Sequence, residues 1–342
     1  MSKKTNSNLI NAKVADSDEF YTQMSDIEKE LSHYLNHFEN AIIYCNCDDP
    51  ARSNFWHFFH LNFNNLGLKK LIATFYDPEK PVYKIEYTGG NDIDFREGIV
   101  TELEGNGDFA SPECIETLRE ADIVVTNPPF SLFRKYVALL MEYQKKFLII
   151  GNMNAITYKE FFPLIKENKI WSGTKSFSGG MDMIFSADRF DPSKLKKYKM
   201  DLNGNYLVNV MGVVWYTNLN LQKRHVPISL KKRYNSNDYV HYDNYDGIEV
   251  PKVSDIPIDY DGVMGVPVSF LDKHCPEQFE IIGYGQGDLF IDAGGTGVSA
   301  EFVNRYYAAG NTGIIKPGWK HIVCYRDGQP KVPYGRVLIR HK

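Results

Sequence analysis

Asp122-Ile123-Val124-Val125-Thr126-Asn127-Pro128-Pro129-Phe130 is the stretch whose reading decides the fold. The unbroken apolar run through Ile123, Val124 and Val125 predicts a strand buried on both faces, as in a parallel sheet covered by helices. The two prolines end it, and Ser131-Leu132-Phe133-Arg134-Lys135-Tyr136-Val137 opens a helical pattern behind them. This strand–turn–helix order puts Asn127 to Phe130 at the carboxyl edge of an α/β sheet, where ligands bind.

The residue types at that edge suit one kind of chemistry. An exocyclic amine on a heteroaromatic ring is a poor nucleophile because its lone pair is delocalised. The Asn127 side-chain oxygen and the Pro128 carbonyl can each accept one amino hydrogen, which favours a pyramidal nitrogen aimed at an electrophilic methyl group. Pro128 and Pro129 fix φ and bias the preceding residues toward extended backbone, so both acceptors are held before a substrate arrives. Phe130 supplies a face for the base, and such stacking contributes roughly 1–3 kcal/mol.

Outward from this stretch, strands and helices alternate. Ser25-Asp26-Ile27-Glu28 reads as a capping box opening a helix with Ile27, Leu31, Tyr34, Leu35 and Phe38 on one face. Ala41 to Cys45 predicts a buried strand ending in the polar turn Asn46-Cys47-Asp48-Asp49-Pro50, and a helix follows from about 51 to 65. Leu68 to Tyr76 is the next strand, followed by an irregular segment and the turn Gly105-Asn106-Gly107-Asp108-Phe109. Ser111-Pro112 starts a helix in the favoured cap-then-proline order. Phe147 to Asn152 is a further strand, Tyr158 to Asn168 reads as helical, and Val208 to Leu219 is again strand-like. The alternation predicts an α/β, Rossmann-like fold with a mostly parallel sheet. Beyond about residue 220 the pattern breaks into Tyr, Asp, Gly and Pro-rich loops. The expected organisation is a polar tail (1–15), a catalytic domain (16–220) and a smaller C-terminal recognition region (221–342).

Acidic or Asn-bearing turns at successive strand ends suit a ligand with a ribose and an amine, as in S-adenosylmethionine. Asp48 or Asp49 could accept from ammonium or hydroxyl groups, and Asp108 from an adenine amine, with Phe109 against the ring.

The 342 residues, 43% hydrophobic and 24% charged, are those of a globular protein, and no apolar run reaches the length of a membrane span. The N-terminus has no apolar segment after its lysines, so no secretion signal is expected and the cytoplasm is the expected location. Five cysteines without paired spacing suit reduced thiols rather than a zinc site, and no metal is expected. The net charge of −4 is unhelpful for binding phosphates, but local basic runs override it. One comprises Lys194, Lys196, Lys197 and Lys199; a second contains Arg224, Lys231, Lys232 and Arg233, the candidates for DNA phosphate contacts.

Several segments resemble the EcoRI-type adenine-specific DNA methyltransferase family. They include Ser17 to Gln23, Tyr44 to Pro50, Asp122 to Tyr136, Ile156 to Glu160, Lys166 to Trp171, Tyr242 to Asp246 and Asp259 to Phe270. The resemblance spans roughly residues 15 to 280. It implies S-adenosylmethionine as cofactor and methyl transfer to adenine N6 in a specific duplex sequence after base flipping, as part of or derived from a restriction-modification system. By matching residue, it makes Asn127, Pro128 and Phe130 the catalytic group, places Phe20-Tyr21-Thr22 along the methionine end of the cofactor, and puts Asp108 and Phe109 on its adenine side. It also implies double-stranded DNA as partner, a monomer, and a cognate restriction endonuclease acting on the same site. One departure from broader methyltransferases is evident: no glycine occurs between Ala41 and Phe55, where a glycine-rich turn ordinarily passes beneath the cofactor. Cys47-Asp48-Asp49-Pro50 stands in that place. Competing readings are a methyltransferase acting on RNA or on a protein glutamine, whose amide poses the same lone-pair problem, and an inactive DNA-binding relative.

Overall fold

A computed structural model describes residues 20–177, 179–185, 195, 198–201 and 203–342. The expected polar tail and Lys194, Lys196 and Lys197 lie outside the described residues. The chain divides into two compact units, one formed by residues up to 153 together with 173–219, the other by 154–172 together with 220–342. The chain passes from the first unit to the second after 153, returns at 173 and passes again after 219; the excursion of 154–172 was not anticipated.

In the first unit the strands are β1 (Phe20–Thr22), β2 (Ile42–Cys47), β3 (Lys70–Phe75), β4 (Tyr83–Tyr87), β5 (Ile99–Glu102), β6 (Ile123–Thr126), β7 (Lys146–Asn152), β8 (Gly180–Phe185), β9 (Lys199–Met200), β10 (Tyr206–Met211) and β11 (Val213–Thr217). The main sheet runs β5-β4-β3-β2-β6-β7-β11. β3, β2, β6 and β7 are parallel neighbours, and their residues are almost wholly buried. The chain moves outward from β2 to β3 on one side and from β6 to β7 on the other. Its order therefore reverses between β2 and β6, which opens a crevice at their carboxyl ends.

The sheet is mixed, not mostly parallel: β4 and β5 add as an antiparallel hairpin and β11 pairs antiparallel with β7. The cause is the connections. The segment expected to be irregular folds into β4 and β5 with no crossover helix, and a parallel partner requires one of a dozen or more residues. Likewise, Val208 to Leu219 is two strands. Gly212, at φ 73°, breaks it, so that β10 joins the antiparallel order β1-β8-β10-β9 while β11 enters the main sheet.

The helices of this unit are α1 (Met24–Leu31), α2 (Asn54–Leu61), α3 (Phe63–Leu66), α4 (Pro112–Glu120) and α5 (Phe133–Glu142). The capping box does not form: Gln23 is the N-cap of α1 and makes no side-chain cap bond. α1 also stops at Leu31, leaving Leu35 exposed. Glu30, 2% exposed, explains the early stop, because it accepts from Tyr34 Oη at 3.1 Å, Thr174 N at 2.6 Å, Thr174 Oγ1 at 2.5 Å and Lys175 N at 3.2 Å. Four donors offset the desolvation of one buried carboxylate and tie α1 to residues 174–175. The expected cap at Ser111 is present, its hydroxyl accepting from Cys114 N with Pro112 in the first turn.

The second unit is more regular than its loop-like composition predicts. β12 (Ile248–Glu249), β13 (Met264–Pro267), β14 (Phe279–Tyr284) and β17 (Arg336–His341) form a sheet in the order β12-β13-β17-β14, and β15 (Cys324–Arg326) pairs with β16 (Gln329–Lys331). α6 (Phe162–Lys166) packs on β14 through Phe162 and Tyr284; α7 (Gly287–Asp292) and α8 (Ala300–Ala308) complete it. Glu249 and Arg336 form a buried ion pair, 2.6 Å at its closest, and Tyr242 donates to the same carboxylate at 2.6 Å. No helix among the described residues is long and apolar enough to cross a membrane.

Candidate functional site

The crevice at the ends of β2 and β6 is assembled by backbone pairing. Asp122 fixes the start of β6 against β2, accepting from Ile42 N at 2.8 Å, while its own N–H donates to Ile42 O at 2.9 Å. At the other end Thr126 Oγ1 donates to Asn46 O at 2.9 Å. Asn127, 8% exposed, therefore leaves the sheet from a fixed point beside Asn46.

Its amide is oriented from the opposite side by β1. Asn127 Nδ2 donates to Phe20 O at 2.6 Å, and Asn127 Oδ1 is buried with no hydrogen-bond partner among the described residues. A buried carbonyl oxygen without a donor costs about 1–3 kcal/mol, so the arrangement is expected to serve a ligand that completes it. Pro128 is buried and Phe130 is partly exposed at the start of a short turn, placed to meet a flat ring. Phe133, one turn on, fills the space above Gly151, where a Cβ would lie 2.5 Å from the Phe133 ring.

The neighbouring loop is fixed by close approach. Gly107 lies at φ 75°, and a Cβ there would sit 1.8 Å from Phe75 O, so only glycine fits. The carbonyl of Asn106 accepts from Asp77 N at 3.1 Å, which docks the loop on the end of β3. Asp108 and Phe109 thereby join Asn46, Cys47, Tyr76 and Pro129 around a cavity of about 170 Å³. Phe109 packs edge-on against Tyr136 with ring centroids 5.0 Å apart.

The turn after β2 contains no glycine, yet Cys47 adopts φ 141°, a conformation that glycine ordinarily supplies. Backbone of this kind costs on the order of 1–3 kcal/mol and clusters at ligand sites. Asp48 follows, accepting from Ser53 Oγ at 3.3 Å, and burial, reinforced by the Asp49 charge, pushes its carboxyl up to about 7. Asp49 is used within the turn, where Oδ1 accepts from Ala51 N at 2.9 Å. Tyr21 faces a larger cavity of about 920 Å³, lined also by Arg52, Asn54 and His57. Its phenol is pushed up to about 12 by burial and by Asp48, against the opposing Arg52. Thr22 Oγ1, 1% exposed, is a second buried atom without a hydrogen-bond partner among the described residues. Phe20 itself is buried, and its contribution is the carbonyl that orients Asn127.

Sequence reading missed Asn46 and Tyr136. The available signal was an amide inside the apolar strand Ile42-Ile43-Tyr44-Cys45-Asn46-Cys47. Tyr136 Oη donates to Asn46 Oδ1, and Asn46 Nδ2 is buried without an acceptor among the described residues.

The four expected phosphate-binding cations belong to the second unit and differ in environment. Arg224 is turned inward, its guanidinium 4.0 Å from the centroid of the Trp171 ring and donating to Asn168 Oδ1 at 2.5 Å. It anchors the 154–172 excursion within its own unit. Lys231, Lys232 and Arg233 are exposed; Lys232 pairs with Asp255 at 3.0 Å and Arg233 with Asp259 at 3.3 Å.

The family model described as adenine-specific methyltransferase EcoRI matches residues 8–342. The chain is 47% identical over 301 residues to the Type II methyltransferase M.EcoRI of Escherichia coli, covering 83% of this chain and 90% of that one. It is 41% identical over 274 residues to the Type II methyltransferase M.MpnI of Mycoplasma pneumoniae, covering 79% and 83%. No solved structure matches the chain significantly.

Proposed function

The chain belongs to the family of EcoRI adenine-specific methyltransferases, and from that premise we propose that it is a site-specific DNA methyltransferase acting on N6 of an adenine rotated out of the duplex. The observation that carries the reading is the buried Oδ1 of Asn127, without a partner among the described residues, on an amide held in orientation by the Phe20 carbonyl. An adenine amine has two hydrogens. Asn127 Oδ1 and the Pro128 carbonyl accept one each, localising the lone pair on nitrogen, while Phe130 stacks on the base and helps offset the few kcal/mol of unstacking.

S-adenosylmethionine, when bound, supplies an electrophilic methyl on a sulfonium whose leaving group is a neutral thioether. The residues present fit it. Asp108 and Phe109 border a cavity for the adenosine, and Tyr21 lines the larger one for the methionine end, beside Thr22, whose buried hydroxyl has no partner among the described residues. Asp48, whose carboxyl burial pushes up to about 7, lies in the turn after β2, where a cationic ligand would favour its ionised form; Asp49 shapes the same turn. The nitrogen becomes acidic as its bond to carbon forms, so its proton passes to water. The residues then act mainly by positioning, for which roughly 7–11 kcal/mol is available.

In the second unit, Lys231, Lys232 and Arg233 would exchange their carboxylate partners for phosphates, with Arg224 supporting the scaffold behind them. The reading makes the protein a monomer that is part of, or derived from, a restriction-modification system, in which a cognate endonuclease would act on the same sequence. Incubation with labelled methyl donor and duplex DNA, RNA or protein, followed by mapping of methyladenine, tests the substrate class. Asn127→Ala is expected to abolish transfer to DNA while S-adenosylhomocysteine still binds. Near-normal methylation by that variant would sink the assignment.

A further inference from the structure

The Asn46–Tyr136 pair is built around a donor that no described residue uses. Asn46 is 2% exposed, and its two amide atoms have different fates. Oδ1 accepts from the Tyr136 hydroxyl, whereas Nδ2 has no acceptor among the described residues. Its backbone is equally fixed, since the carbonyl accepts from Thr126 Oγ1 at 2.9 Å. Tyr136 is fully buried, and burial raises its phenol well above the ordinary value, so it remains a proton donor. With the hydroxyl donating to Oδ1, Nδ2 is the amide atom left without a partner among the described residues.

Asn46 lines the same cavity as Asp108, Phe109 and Pro129. Its lining combines the apolar side chains of Phe109, Pro129 and Leu132 with the carboxylate-bearing Asp108 and the amide-bearing Asn46. A planar ring system carrying both an amine and acceptor atoms is complementary to it. We propose that Asn46 donates from Nδ2 to an acceptor atom of the adenosine portion of the cofactor, with Tyr136 as the positioning residue that fixes the amide. The inference rests on the reading of this crevice as the cofactor site. The pair would discriminate by chemistry: a ligand lacking the acceptor leaves a buried N–H unsatisfied.

The test is calorimetric, with two ligands on the full chain. S-adenosylhomocysteine carries both ends of the cofactor, and 5′-methylthioadenosine retains the adenosine without the amino-acid end. Asn46→Ala and Asn46→Asp are each expected to weaken both ligands by about tenfold, corresponding to one lost hydrogen bond to a buried donor. The aspartate variant preserves size but offers only acceptors. Tyr136→Phe, which frees the amide to rotate, is expected to weaken both by a smaller factor. Unchanged affinity in the Asn46 variants overturns the proposal, as does a loss for S-adenosylhomocysteine with none for methylthioadenosine, which would put the donor at the amino-acid end. If the Asn46 variants do not fold, Tyr136→Phe carries the test, and unchanged affinity for both ligands counts against the proposal. Failure of the unaltered protein to bind either ligand would instead remove the underlying cofactor reading.

Discussion

At Asn127 the difference between a turn residue and the proposed amine acceptor is a single hydrogen bond. The side chain could cap its own turn; instead Nδ2 is consumed by the Phe20 carbonyl, 107 positions away in sequence, and Oδ1 is left buried and without a partner among the described residues. Asp48 shows the same logic in charge. Its folded-state pKa of about 7 lies above the ordinary value of 3.8, so its contribution to stability is full below 3.8 and is lost as pH rises through about 7. The melting temperature of the ligand-free protein is therefore expected to fall, relative to Asp48→Asn, between about pH 4 and about pH 7. A cationic ligand favours the ionised carboxylate, so affinity for the methyl donor is expected to rise over the same interval in the unaltered protein and to stay flatter in Asp48→Asn. Parallel pH profiles for the two proteins would show that Asp48 does not face the ligand. Cys47, beside it, reaches a glycine-like φ without being glycine, which is why the missing glycine was a poor guide to the turn's shape.

Elements were legible wherever local chemistry decided them. Ser111-Pro112 formed its cap because both the hydroxyl and the missing N–H are useful at a helix start. Ser25-Asp26-Ile27-Glu28 did not, because the helix begins from Gln23, whose side chain is instead bonded to Asp182 O at 2.6 Å. Tertiary pairing overrode the local signal. The loop carrying Asp108 and Phe109 depends on Gly107 in a similar way. Gly107→Ala places a Cβ 1.8 Å from Phe75 O at positive φ, so a loss of about 2–4 kcal/mol is expected in urea unfolding. The displaced loop should also weaken S-adenosylhomocysteine, and a variant as stable as the original would contradict the close packing.

On the scale of the whole molecule, a net charge of −4 coexists with an exposed basic stretch, Lys231-Lys232-Arg233, in the second unit. Duplex binding is then governed by local counterion release, not by the overall charge. Replacing Lys231, Lys232 and Arg233 together by alanine is expected to weaken DNA binding and to reduce the slope of log affinity against log salt by roughly 2–3, at about 0.9 per phosphate contact. An unchanged slope would place those residues outside the interface.

Sequence alone determined the central parallel strands, the strand–turn–helix around Asn127 and the acidic turns beside it, because continuous apolar runs, prolines and caps act within a few residues. It did not determine the antiparallel additions β4, β5 and β11, the 154–172 excursion or the sheet within the C-terminal part. Those depend on which edge a strand meets and on whether a connection includes a crossover helix. Only the tertiary structure separated the roles within the site. Asn127 and Asn46 are alike as residues, and the distant partners Phe20 and Tyr136 settle which amide atom each has left to offer: an acceptor from Asn127, a donor from Asn46.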